Sequence, residues 1–96
     1  MTVYAVAQIS ITHRDAYNRY QARFMEVFGR FNGRVLAADE SPKVVEGSWE
    51  REKIILLSFP DEGSFQEWML SPDYQTISAD RKAGSNGVVL LVKGLG

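Results

Sequence analysis

The chain has 96 residues, of which 45% are hydrophobic and 24% are charged. This composition is typical of one globular domain with a single core, so we expect residues 1–96 to form one unit. Eleven basic and 12 acidic residues leave a formal charge of −1, which provides no long-range attraction for nucleic acid or an anionic membrane. The absence of cysteine excludes disulfides, thiolate nucleophiles and zinc–thiolate sites.

The first predicted element is a strand from Val3 to Ile11, in which apolar residues alternate at period two. Gln8 and Ser10 interrupt the apolar run and no basic segment precedes it. The stretch therefore resembles neither a signal peptide nor a membrane span. We expect a cytoplasmic protein without a membrane partner.

An amphipathic helix is predicted next. Thr12, with Asp15 three residues later, forms a weak capping box, so the helix is expected to begin near His13. Apolar residues from Tyr17 to Phe31 recur at spacings of three and four. Asn32-Gly33 predicts the end, because glycine adopts the left-handed conformation that closes a helix.

Two further strands follow the helix. The second is predicted in two extended pieces, RVLAAD (34–39) and KVVEG (43–47). Pro42 lies between them, and proline is tolerated only at a sheet edge or bulge, so this strand is expected at an edge. KIILLSF (53–59) is apolar on successive residues, which is typical of a central strand.

The remaining elements are a second helix and a fourth strand. Pro60-Asp61 opens the helix, and Ser71-Pro72 interrupts and restarts it, since serine is a good N-cap and proline fits the first helical position. Gly84 is expected to end the helix. VVLLVKG (88–94) is then predicted as the last strand.

The order βαββαβ predicts an α+β protein with the ferredoxin-like fold. Its four-stranded antiparallel sheet should have the order 4-1-3-2, with both helices on one face. The other face would stay uncovered, and strand four would lie at an edge although it is apolar on both sides. An exposed apolar surface of this size predicts a partner, and we expect a homodimer.

Several short motifs resemble a known family. They are EGSW at 46–49, SFP at 58–60, Trp68, SPDYQ at 71–75 and Arg81. With these motifs the chain resembles the family of domains of unknown function numbered 1330, over essentially its whole length. That family lies in the dimeric α/β-barrel superfamily, so the resemblance implies two protomers that pack their sheets together with the helices outside.

The resemblance leaves the activity open, because this superfamily joins cofactor-independent monooxygenases, haem-degrading enzymes, chlorite dismutases and lactone isomerases to members without known activity. No catalytic residue is carried over from the family. The haem-degrading relatives use a histidine on the second helix, where this chain has none. No cofactor is therefore predicted.

The strongest site candidates are Tyr74 and Arg81 on the second helix. With Ile77 and Ser78 they fall at i, i+3, i+4 and i+7, so they share one stripe of the helix. One interpretation is structural, with Arg81 paired to a carboxylate such as Glu46 or extended to water. The other is a ligand site, or weakly a catalytic one, in which both side chains bind a carboxylate or enolate-like group.

Two further residues are ligand-binding candidates. Gln8 lies on the predicted central strand, where its polar group bonds across strands, bonds at a subunit interface or lines a cavity. Trp68 is the other candidate, although it is more typical of a core or interface aromatic. His13 is the only histidine and is expected to be exposed, so imidazole catalysis and metal binding are both disfavoured.

Two functional hypotheses remain open from the sequence. The first is a homodimeric small-molecule-binding or accessory protein, and the second is a cofactor-independent oxygenase or isomerase acting on a small acidic substrate. RNA recognition on the same βαββαβ order is disfavoured, because strand three lacks the aromatic residues on which bases stack.

Overall fold

The computed structural model describes residues 1–96 and contains four strands and three helices. The elements are β1 (Val3–Ile11), α1 (Arg14–Phe28), β2 (Arg34–Asp39), β3 (Lys53–Phe59), α2 (Glu62–Met69), α3 (Pro72–Gly84) and β4 (Ser85–Lys93). All strand pairs are antiparallel, in the order β2-β3-β1-β4. This is the predicted order counted from the opposite edge, and the ferredoxin-like fold is confirmed.

The molecule has two layers, with the helices on one face of the sheet. Its Cα atoms extend only 16 Å along the shortest principal axis, against 32 and 31 Å along the others. The core lies between the layers and is rich in aromatic rings, with Tyr17, Phe28 and Phe59 almost fully buried. None of the three helices combines the length and apolar character that a membrane crossing requires.

The face of the sheet opposite the helices is largely apolar, and no helix covers it. Because side chains alternate along a strand, Val6, Leu56 and Leu90 point to this open sheet face in neighbouring strands. Val88, Leu90 and Val92 of the edge strand β4 are 43–47% exposed. The exposed apolar face expected from the sequence is therefore present.

The break in the second helix is confirmed. α2 ends at Met69 and α3 begins at Pro72, with Ser71 between them as N-cap. The Tyr74 N–H donates to Ser71 Oγ at 3.2 Å, and Ser71 Oγ–H donates to the Trp68 carbonyl at 2.8 Å. One serine thus joins the two helices and fixes the direction in which α3 starts.

The beginning of α1 differs from its prediction. His13 is the N-cap, and its Nδ1 accepts a hydrogen bond from the Ala16 N–H at 3.2 Å. The predicted capping box of Thr12 and Asp15 is wrong, because the helix starts one residue later than expected. An imidazole nitrogen here accepts the bond that a serine or aspartate oxygen usually accepts at this position.

The predicted end of α1 at Gly33 is also wrong. The helix stops at Phe28, and Gly33 does not have the positive φ that closes a helix. A Cβ atom at Gly33 would lie 2.4 Å from Phe28 Cζ and 2.7 Å from Phe59 Cε1. Glycine is required because the chain passes directly against two core rings.

The second strand is shorter than predicted. RVLAAD forms β2 at a sheet edge, as expected, but residues 43–47 form no strand. This segment contains the positive-φ Gly47, and Val45 is 89% exposed. The extended piece predicted at 43–47 therefore does not continue the sheet, because it pairs with no neighbouring strand.

Candidate functional site

A small cavity lies between the sheet and the pair of helices α2 and α3. It offers about 30 Å³ of space to a water-sized molecule. Of the 12 residues around it, 11 are hydrophobic, and Arg81 is the exception. Tyr74 and Trp68 line the same space, so three of the four predicted ligand-binding residues meet there. We call this space the Arg81 cavity.

Arg81 is half-buried near the end of α3 and forms no salt bridge within the chain. Its Nε is buried and has no hydrogen-bond partner. Glu46, the partner proposed from the sequence, is exposed in the loop before β3, beside a shallow depression that Trp49 and Ile54 also line. The predicted Arg81–Glu46 pair is wrong, because Glu46 belongs to a different surface of the protein.

Tyr74 faces a second tyrosine across the cavity. Its hydroxyl lies 2.9 Å from the Tyr20 hydroxyl of α1, and both residues are buried. Burial, reinforced by the neighbouring Tyr74, raises the pKa of Tyr20 far above its ordinary value. The Tyr20 hydroxyl therefore stays neutral and serves as a hydrogen-bonding group, not as a phenolate base.

Trp68 forms the wall between Tyr74 and the aromatic core. Its ring centroid is 4.3 Å from that of Tyr74 and 5.2 Å from that of Phe28. The indole Nε1 is buried without a hydrogen-bond partner. A buried donor left unpaired is costly, and such groups are uncommon in folded proteins. With Arg81 Nε, Trp68 is the second unpaired donor among the residues around this cavity.

Gln8 does not join the other candidates. It pairs in register with Ile54 and Val88 and points to the open sheet face, whereas the Arg81 cavity lies on the helix side. The Trp49 Nε1–H donates to Gln8 Oε1 at 3.1 Å. Gln8 thus contacts the loop before β3 on the open sheet face, and its bonding partner is a loop residue and not a neighbouring strand.

The polar groups around the cavity are hydrogen-bond donors. The guanidinium group and the one O–H that the Tyr20–Tyr74 hydrogen bond leaves free are donors in a mostly apolar enclosure, where charge-assisted hydrogen bonds are strongest. His13 is exposed and caps α1 at its Nδ1. No group of three or more His, Asp or Glu side chains comes together in a way that would hold a metal ion.

Sequence reasoning missed Tyr20 and Lys53. Tyr20 was assigned only to the apolar stripe of α1, because its contact with Tyr74 spans 54 positions of the chain. Lys53 was included in the strand KIILLSF without a role of its own, but it is 95% buried. Period-two alternation puts Lys53 on the same face as Ile55 and Leu57, and a charge on that apolar stripe was the available signal.

The fold and the enclosed cavity define a two-layer, ferredoxin-like α+β protein. Residues 2–95 match the family described as Domain of unknown function (DUF1330), and the chain belongs to that family. The family resemblance found in the sequence is thereby confirmed. The description of the family assigns no function to its members. No curated protein matches the chain.

Solved structures with the same fold include proteins of differing description. A protein of unknown function from Rhodopseudomonas palustris is similar with a TM-score of 0.82 and 18% identity, over 99% of this chain and 83% of the other. SnoaB, a cofactor-independent oxygenase from Streptomyces nogalater, is similar with a TM-score of 0.71 and 14% identity, over 99% of this chain and 94% of SnoaB. A dimeric ferredoxin-like protein of unknown function from Thermobifida fusca is similar with a TM-score of 0.68 and 12% identity, over 98% of this chain and 92% of the other. Identities this low establish the common fold alone.

Proposed function

We propose that this protein is a homodimer that binds a small organic anion, of the carboxylate or enolate type, in the Arg81 cavity of each protomer. The observation that carries the proposal is the unpaired, buried Nε of Arg81 in an otherwise hydrophobic enclosure. A ligand oxygen would supply the missing acceptor. The donors at Trp68 and the Tyr20–Tyr74 pair would add orientation.

The volume of the cavity limits the ligand. A water molecule needs about 10–15 Å³ measured in the same way, so 30 Å³ accommodates a carboxylate group but no large body. A larger ligand requires a side chain to move. Met69 is half-buried at the end of α2 and lines the cavity, and methionine is the most adaptable apolar side chain.

Acetate titration tests the site directly. We expect acetate to bind the wild type and Arg81→Met to weaken binding by about 10- to 100-fold, the loss associated with charge-assisted bonds of roughly 1.5–3 kcal/mol. Arg23→Met is the matched control, because Arg23 is an exposed arginine on α1 that forms no salt bridge. Equal acetate binding by wild type and Arg81→Met would reject the Arg81 cavity as the anion site.

The homodimer is supported by the uncovered apolar face. Only 18 of 96 residues are buried in the single chain, and Leu90 at the centre of β4 is 47% exposed. Packing two open sheet faces together would remove these side chains from water. The similar protein from Thermobifida fusca is described as dimeric, which agrees with this arrangement.

Light scattering tests the assembly. We expect a mass of about twice 10.8 kDa for the wild type at micromolar concentration. Leu90→Lys should give a monomer, because it places a charge within the interface. Leu70→Lys is the control, since Leu70 is 70% exposed at the end of α2, away from the sheet. A wild type that stays monomeric would overturn the dimer.

The cytoplasmic location stays a prediction, for cell fractionation to test.

A further inference from the structure

Lys53 is a buried cation without a close acceptor. It opens β3 on the helix-facing side of the sheet, and its side chain is only 6% exposed. The Nζ lies 4.9 Å from the centre of the Tyr17 ring and 4.0 Å from Glu40 Oε2, which is beyond hydrogen-bond distance. An ammonium group has three N–H donors, and none of those of Lys53 meets a hydrogen-bond acceptor within the chain.

Glu40 is engaged elsewhere. Both of its carboxylate oxygens accept from the Arg14 guanidinium, at 3.0 and 3.3 Å, and its side chain is 43% exposed. Arg14 thus occupies both carboxylate oxygens, and Glu40 approaches Lys53 Nζ no closer than 4.0 Å. Burial lowers the pKa of Lys53, which agrees with a cation that its neighbours compensate only in part.

A pocket of about 230 Å³ opens beside Lys53, between α1 and β2. Seven of its nine lining residues are hydrophobic, Gln21 is polar, and Lys53 provides the only charge. This Lys53 pocket differs from the Arg81 cavity, but Tyr20, Phe24 and Ile55 line both. Because it lies on the helix side of the sheet, a sheet-to-sheet dimer would leave it open.

We propose that the Lys53 pocket is a second ligand site, for a small carboxylic acid with a flat apolar body. The carboxylate would supply the acceptors that Lys53 lacks, and the body would lie against the rings of Tyr20 and Phe24. The pocket is several times larger than the Arg81 cavity, so the two sites differ in the size of the acid they accept. This site does not depend on the function proposed above.

Benzoate is a suitable probe, followed by amide chemical shifts and calorimetry on the full chain. We expect benzoate to shift the amides of Gln21, Val35 and Ala38 around the Lys53 pocket, and Lys53→Met to weaken binding at least about tenfold. Benzyl alcohol has the same body without the charge, so it should bind more weakly and be insensitive to Lys53→Met. The exposed Lys43→Met is the charge-matched control and should bind benzoate as the wild type does.

A second variant blocks the pocket without touching the lysine. Ala38 is exposed on the edge strand β2 and lines the pocket, so Ala38→Phe should fill it and abolish benzoate binding even if Lys53→Met does not fold. Arg81→Met should retain benzoate binding. The proposal is overturned if wild type does not bind benzoate at millimolar concentration, or if Ala38→Phe binds it normally. Loss of benzoate binding in Arg81→Met alone would also overturn it, while leaving the Arg81 cavity intact as a site.

Discussion

Replacing Arg81 by methionine should leave the protein as stable as the wild type or make it more stable. The buried Nε of Arg81 has no hydrogen-bond partner, and the residue forms no salt bridge. An arginine whose only role was to stabilise the fold would be expected to have a hydrogen-bond partner for its Nε and a salt bridge to a carboxylate. Methionine retains an unbranched apolar stem of similar reach, so most of the packing around the cavity is kept.

The sign and size of the change in stability follow from the removal of the unpaired Nε–H donor of Arg81. An unsatisfied buried donor costs about 1–3 kcal/mol, and Arg81 is only half-buried, so we expect the variant to gain about 0–2 kcal/mol. In a domain of this size 1 kcal/mol corresponds to roughly 4–8 °C in Tm. Breaking a buried ion pair would instead cost about 3–5 kcal/mol. The two interpretations of Arg81 therefore predict changes of opposite sign.

Thermal melts of wild type, Arg81→Met and the control Arg23→Met would measure the difference. They should be made without acetate and at one protein concentration, because a dimer's Tm depends on its concentration and on bound ligand. A loss of about 3 kcal/mol in Arg81→Met, with Arg23→Met unchanged, would refute this reasoning. It would show that Arg81 has a structural partner, supplied for example by a second protomer.

Three further predictions concern the fold. Gly33→Ala should cost about 1–3 kcal/mol in a denaturant melt, because its Cβ would lie 2.4 Å from Phe28 Cζ, whereas Gly63→Ala in α2 has room and should gain about 0.5–1 kcal/mol. Ser71→Ala should cost about 0.5–2 kcal/mol by removing the N-cap of α3, and an unchanged melt would contradict that role. The backbone N–H of the first turn of α2 lowers the pKa of Asp61, so its contribution to stability is complete above the ordinary pKa and is lost as the pH falls through the lowered one. Asp61→Asn should accordingly flatten the acid limb of a stability–pH profile, and an unaltered limb would count against the cap.

Local patterns in the sequence determined the order of the elements and the topology. Val3–Ile11 alternates with period two, Ser71-Pro72 combines an N-cap with an N1 proline, and each signal depends only on neighbours in the chain. Short connections then leave one arrangement of four strands. The shared helical stripe likewise brought Tyr74 and Arg81 to one cavity, because the i to i+7 spacing survives folding.

Contacts between distant segments were decided only by the tertiary structure. Gly33 is needed where Phe28 and Phe59 meet, and such a requirement leaves no trace in the residues beside it. Gln8 lies on the other side of the sheet from Arg81, since which of the two faces the helices cover is a property of the whole fold.

The charged side chains show the same difference between what the sequence determines and what only the tertiary structure decides. The sequence supplies Arg81, Lys53 and Glu46, but whether each meets a partner depends on distances between elements far apart in the chain. Glu40, which follows β2 and lies beside the start of the neighbouring strand β3, is held by Arg14, so Lys53 stays buried without a hydrogen-bonded acceptor. Sequence determines which charges exist, and packing decides which remain unpaired, because electrostatic and hydrogen-bond energies depend on separations of a few ångströms.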